Sequence, residues 1–252
     1  MGGFKTLIYE KKDSVAYVTL NRPQFHNVYN MKMRDDLYEV LMAIKDDSEV
    51  RVAIFKGSGE KAFCAGADLS EFLTAPSPTV ARHVRFSRDV WGLFLSISQP
   101  LIAALHGYVL GSGIEIALCC DIRIASVDAR FGLPEVGLGI IPAAGGTQTL
   151  PRVIGRGRAL EMLLTSRWLT SDEAFQFGLV NRVVPKDKLI ETAEEIAEKI
   201  ASYDPLAVAN AKRAVVHGLD LPLMEGLDLE RRLASELRLA AAQRPNIEKG
   251  EG

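Results

Sequence analysis

Leu110-Gly-Ser-Gly-Ile-Glu115 runs into an apolar segment, Ile116 to Cys120, and further on come Gly132-Leu-Pro-Glu135, Val136 to Ile141 and Pro142. Both runs read as core, and each carries one carboxylate, Glu115 or Glu135. An unpartnered buried carboxylate is costly and shifts its pKa instead of staying charged. Shifted carboxylates beside a backbone turn are what acid–base chemistry requires, so this pair is the candidate catalytic site. Gly111 and Gly113 suit a tight turn into a helix expected from about Gly113 to Cys120. The amides of Ser112 and Gly113 then leave the helix N-terminus without internal partners, in the positive potential of the dipole. An oxygen gaining negative charge is stabilised at such a place. A solvent-facing Glu at a helix start is the plain alternative for Glu115. Ile114, Ile116, Ala117 and Leu118 around it argue for burial.

Working outward, strands and helices alternate in short steps. Leu7–Glu10 and Val15–Leu20 predict a hairpin that ends at Asn21-Arg22-Pro23, because proline cannot continue a ladder. Asn30 suits an N-cap for a helix over Met31–Asp46, with Met33, Leu37, Val40, Leu41 and Ile44 on one stripe. Val52–Phe55, Leu101–Leu105, Ile122–Ala125 and Val180–Val184 are strand candidates, and Arg130–Phe131 is a short one. Ala62 to Leu69 is rich in small residues, so backbone can approach a ligand there. Ser70 to Pro78 is expected as a loop, Thr79 to Ser98 as a helix, and Gly107 to Gly113 as a glycine-punctuated turn. Helices are expected over Thr147–Ile154 and Gly157–Thr165, with Ser171-Asp172-Glu173 capping Ala174–Phe177. After Asp187 everything is helical: Leu189–Ala201, Leu206–His217 and Pro222–Ala242. This pattern gives an α/β core over residues 1–187 and a helical region over 188–252 that is too thin to be a core by itself.

The chain has 252 residues, 48% of them hydrophobic, and a net charge of -2. Neither sign of charge dominates, so nothing suggests a nucleic-acid or anionic-membrane partner. Cys64, Cys119 and Cys120 are too few for a disulfide framework, and free thiols in a reducing compartment are expected. No apolar run reaches the roughly 20 residues needed to span a bilayer. The start, Met1-Gly-Gly-Phe-Lys-Thr6, lacks an apolar signal segment, and a cytoplasmic location is expected. His26, His83, His106 and His217 are scattered, with no zinc spacing and no Cys–His nucleophile. There is no phosphate loop and no Gly-x-Gly-x-x-Gly.

Taken in order, five motifs resemble the crotonase superfamily, and specifically the enoyl-CoA hydratases. They are Asn21-Arg22-Pro23, Ala62-Phe-Cys-Ala-Gly-Ala-Asp-Leu69, Gly107-Tyr-Val-Leu-Gly-Ser-Gly-Ile-Glu115, Phe131-Gly-Leu-Pro-Glu-Val-Gly-Leu-Gly139 and Ala144-Gly-Gly-Thr-Gln148. The resemblance implies an α/β, crotonase-like spiral of repeated ββα units with a C-terminal helical trimerisation region. It implies acyl-CoA thioesters as substrates, with coenzyme A part of the substrate, and neither a metal nor a redox cofactor. Glu115 and Glu135 match the two catalytic glutamates. The amides of Ala67 and Ser112 match the oxyanion hole, and the backbone over Ala65, Ala67, Asp68, Leu69 and Ser70 matches the coenzyme contacts. Trimers or dimers of trimers are implied as well. Keeping both glutamates favours water addition to trans-2-enoyl-CoA. The rivals are an enoyl-CoA isomerase, a hydratase of branched or cyclic acyl-CoA, and a binding protein of the same fold without turnover. Ser112 and Ala143 stand where glycines are usual, and Ser70 where many hydratases have a lysine near the coenzyme phosphates.

Overall fold

The structure, a computed structural model, describes residues 3–71 and 88–243. The chain divides into two compact units, Met1–Ala201 and Ser202–Gly252.

In the first unit β1 (Leu7–Lys12) and β2 (Val15–Leu20) pair antiparallel around Asp13, whose φ of 52° turns the chain. The Asn30 side chain accepts from the Met33 amide at 2.9 Å and caps α1 (Met31–Asp46). That helix buries Met33, Leu37, Val40, Leu41 and Ile44, the stripe expected from spacing of three and four.

Three strand pairs then repeat. They are β3 (Val52–Gly57) with β4 (Ala62–Cys64), β5 (Leu101–Leu105) with β6 (Tyr108–Leu110), and β7 (Ile122–Ser126) with β8 (Arg130–Gly132). Helix α2 (Val90–Ser96) precedes the second pair, α3 (Ser112–Cys119) follows it, and α4 (Gly146–Ile154) comes after the third. The first strand of each pair joins a six-stranded sheet and the second a four-stranded sheet. With β9 (Leu169–Thr170) and β10 (Arg182–Val184), the orders are β1-β2-β3-β5-β7-β10 and β4-β6-β8-β9. Apart from β1–β2 and β8–β9, the pairings are parallel. Each repeat therefore adds one strand to each sheet, which makes the spiral of ββα units.

The larger sheet is covered on both faces. Ala53, Phe55, Ala103, Leu105 and Ala125 belong to the main core, while Val52, Ile54, Ile102, Ala104 and Ile124 pack with Leu189, Ala193 and Ala197 of a later helix. A sheet buried on both sides needs continuous apolar strands, which is why Val52–Phe55 and Leu101–Leu105 show no polar alternation. Helix α5 (Arg156–Thr165), the short α6 (Ser171–Gln176) and α7 (Leu189–Ala201) complete the unit. In the second unit α8 (Pro205–Gly218) and α9 (Leu223–Gln243) are tied by Asn210, whose amide donates to the Leu233 carbonyl at 3.1 Å.

Four local expectations change. Tyr108–Leu110 is a strand, not part of a turn, because it pairs with both β4 and β8. Val136 to Ile141 is not core: Val136, Leu138 and Ile141 are exposed, on a 3₁₀ turn over Pro134–Leu138 and the segment after it. The cap of α6 is Thr170, one residue earlier, in a reciprocal capping box with Glu173. Helix α7 packs on the sheet through Leu189, Ala193 and Ala197, so the compact units part at Ala201, not at Asp187. Of the loop and helix expected over Ser70–Ser98, residues 72–87 lie outside the described residues, and Val90–Ser96 is helical.

Candidate active site

Strand β6 hands the chain to α3 at Gly111, whose φ of 49° and ψ of −122° exclude other residue types. A Cβ there would also lie 2.9 Å from Glu135 Oε1 and 3.3 Å from the Gly66 Cα. Gly113 is under a similar constraint, because a Cβ would meet the Cys64 carbonyl oxygen at 2.2 Å. The missing side chains thus bring three segments together: the end of β4, the start of α3 and the turn that bears Glu135.

Glu115 is only 3% exposed in the first turn of α3. Its Oε1 accepts hydrogen bonds from the amides of Ala144 at 2.9 Å and Gly146 at 3.0 Å. A Cβ on Gly146 would lie 3.0 Å from that same oxygen. The Ala144-Gly-Gly146 stretch was legible only as part of a family motif. Its task, orienting Glu115, emerges from these two hydrogen bonds.

Glu135 is half-buried at the start of the 3₁₀ turn, after Pro134. Its Oε2 is buried and has no hydrogen-bond partner among the described residues. Burial raises its pKa to about 7 against its own backbone amide, which lowers it, and the charge of Glu115 adds to the rise. A carboxyl group poised there can give or take a proton near neutral pH.

Ala67 forms a parallel bridge with Tyr29, in which the Tyr29 amide donates to Gly66 and the Asp68 amide donates to Tyr29. Since Tyr29 bonds to both neighbours, Ala67's own N–H points away from Tyr29. The loop is braced by Arg22, whose guanidinium donates to Asp68 Oδ2 at 3.1 Å and to the Val28 carbonyl at 2.7 Å. Buried Asn27 accepts from the Arg22 amide and donates to the carbonyls of Ser58 and Ala62. Asn21-Arg22-Pro23 therefore serves the site at one remove, by fixing the Ala67 loop.

Ala67, Ser112, Glu115 and Glu135 line one cavity of about 640 Å³. Ser112 opens α3, so its amide is one of the N–H groups without an intrahelical acceptor. Trp91, Cys119 and Ile141 contribute apolar wall that the sequence reading did not assign to the site. Ala65, Asp68, Leu69 and Ser70 lie beside Ala67 but do not line this cavity. Asp68 is engaged with Arg22 and Ser70, and Leu69 is exposed. Cys64 is fully buried and its thiol pKa is pushed up to about 12 by that burial, which leaves it inert as a nucleophile.

Fold and cavity together define a class: an α/β spiral of the crotonase type with paired carboxylates in a partly apolar pocket. A family model for enoyl-CoA hydratase/isomerase matches residues 10–249. The chain belongs to that family. A short-chain-enoyl-CoA hydratase of Clostridium acetobutylicum is 43% identical over 224 residues, which is 89% of this chain and 86% of that protein. An (E)-benzylidenesuccinyl-CoA hydratase of Thauera aromatica is 42% identical over 220 residues, 86% of this chain and 85% of the relative. Among solved structures, enoyl-CoA hydratase from Bacillus anthracis matches with a TM-score of 0.87 at 39% identity, covering 98% of this chain and all of that one.

Proposed function

We propose that this protein is an enoyl-CoA hydratase. It is a hydro-lyase that adds water reversibly across the double bond of a trans-2-enoyl-CoA to give a 3-hydroxyacyl-CoA, in fatty-acid or related acyl-CoA degradation. The observation that carries this reading is the pair of unlike carboxylates in one cavity. Glu115 has an oxygen fixed by two amides, and Glu135 has a pKa near 7 and an unpartnered buried oxygen.

Hydration needs oxygen delivered to the β carbon and a proton delivered to the α carbon. In this reading Glu115 assists the water, taking its proton as the carbon–oxygen bond forms. Glu135 gives its proton to the α carbon, and a proton returned between the two resets the site. The amides of Ala67 and Ser112 donate to the thioester oxygen as it gains enolate character. Each such donor is worth roughly 3–4 kcal/mol in the transition state. No electrons change hands, so the reaction calls for no redox cofactor, and in this reading the amides of Ala67 and Ser112 polarise the carbonyl in place of a metal. Ala65, Asp68, Leu69 and Ser70 are assigned to the coenzyme portion because they continue the chain on either side of the Ala67 amide.

Assembly as a trimer, or a dimer of trimers, is part of the proposal. Leu219 and Leu223, 82% and 76% exposed, leave the second unit with apolar surface that a neighbouring subunit would cover. No helix of the described residues is long and apolar enough to cross a membrane, and a cytoplasmic location is proposed. The test is the loss of conjugated enoyl-thioester absorbance when the protein is mixed with crotonyl-CoA. No loss would overturn the reading, and conversion of a 3-enoyl-CoA to its conjugated isomer instead would favour the isomerase.

A further inference from the structure

We propose that Cys119 and Trp91 together set the length of acyl chain that the cavity admits, a reading that rests on the placement of the thioester at Ser112 and of the reacting carbons at Glu115. Helix α3 supplies Ser112, Glu115 and Cys119 to the same cavity. Offsets of three and four residues put them on one face of the helix. Cys119 closes the helix, four residues or about 6 Å beyond Glu115. An acyl group whose carbonyl sits at the helix start therefore runs along this face. A four-carbon chain ends near Glu115, and each further carbon carries the tail toward Cys119.

The surroundings suit an alkyl tail. Trp91 and Leu95, four residues apart on α2, line the cavity, as do Ile140 and Ile141. Leu95 and Ile141 are large apolar side chains left exposed, at 49% and 65%. A covering tail would remove that apolar surface from water. Trp91 is a fixed wall: its ring lies 5.7 Å from that of Tyr29 and 6.4 Å from that of Phe94, and Phe94 is fully buried. Cys119 is small and stands where the main core meets the cavity, so a larger side chain there narrows the path of the tail.

Opposite changes at the two positions should have opposite effects. Trp91→Leu should raise the ratio of kcat/KM for trans-2-octenoyl-CoA over crotonyl-CoA by about tenfold or more, and Cys119→Leu should lower it by a similar factor, given what one or two methylenes are worth in an apolar pocket. Should Cys119→Leu fail to fold, Cys119→Val carries the same sign with a smaller effect. Parallel changes for both substrates, or an unchanged ratio, would overturn the inference. Calorimetric binding of butyryl-CoA and octanoyl-CoA reads the same length preference without turnover. A length ratio that shifts in binding while the wild-type chain hydrates nothing would sink the hydratase reading and leave this one standing. A ratio that does not move in binding would sink this one alone.

Discussion

At Glu135 a single side chain combines burial, an oxygen without a partner among the described residues and a neighbouring carboxylate. Glu135→Gln keeps its size but cannot donate the proton, and turnover is expected to fall by about 10²–10⁴. Glu115→Gln should cost a comparable factor, because the proposed mechanism gives its carboxylate a separate task. Binding of a saturated acyl-CoA should barely change in either variant if backbone amides hold the thioester as proposed. Full crotonyl-CoA hydration by Glu115→Gln would rule out the two-carboxylate mechanism. The pKa of Glu135 also fixes a sign. It rises from the ordinary 4.5 to about 7 on folding, so between those values the folded chain holds a proton that the unfolded chain has released. Its contribution to stability is complete below about pH 4.5 and is lost as pH rises through 7. Denaturant titrations across this range should show that decline in the wild type and less of it in Glu135→Gln. The hydration rate should fall above pH 7 for the same reason.

At the level of elements, the site depends on α3 meeting the Ala144–Gly146 segment without side chains in between. Gly146→Ala would place a methyl group 2.9 Å from the Pro142 Cβ and 3.0 Å from Glu115 Oε1. The segment must retreat, and Glu115 loses its alignment. A shift of about 1 Å can cost around a hundredfold in rate. The expected result is a large drop in kcat with the thermal transition still cooperative; wild-type kcat would mean that the two amides are not needed to orient Glu115. Ser112 tests the other end of the helix. If its amide and not its hydroxyl contacts the thioester, Ser112→Gly should keep most of the activity. A loss of several hundredfold in a folded variant would assign the work to the hydroxyl.

For the whole molecule, the proposed assembly rests on the second unit. Its helices and the turn between them expose Leu219, Leu223, Met224 and Leu239, while α7 is already committed to the sheet of the first unit. Light scattering should report a multiple of three chains. A mass near that of one 27.6 kDa chain under dilute native conditions would contradict the trimer.

Local chemistry wrote much of this protein into its sequence. Asn30 can cap only because its oxygen reaches an amide three residues on, and the Met33–Ile44 stripe follows from helix geometry. The uninterrupted apolar runs marked strands, and Gly111 and Gly113 marked a turn that the structure shows other residues could not make. Glu115 was legible for the same reason, as a charge placed where burial is costly, whereas Glu135 was legible through its family motif, because the apolar run after it is exposed. What only the tertiary structure decided depends on residues far apart in the chain. Val136 to Ile141 looks like core on composition, yet its place on a surface turn and a cavity wall is set by packing. The grip of Ala144 and Gly146 on Glu115 spans about thirty residues. The pKa of Glu135 is a property of its surroundings and not of its sequence neighbours. Sequence specifies contacts between near neighbours through fixed backbone geometry. Burial, and the free energy of the groups it strands, exists only once distant segments have closed around them.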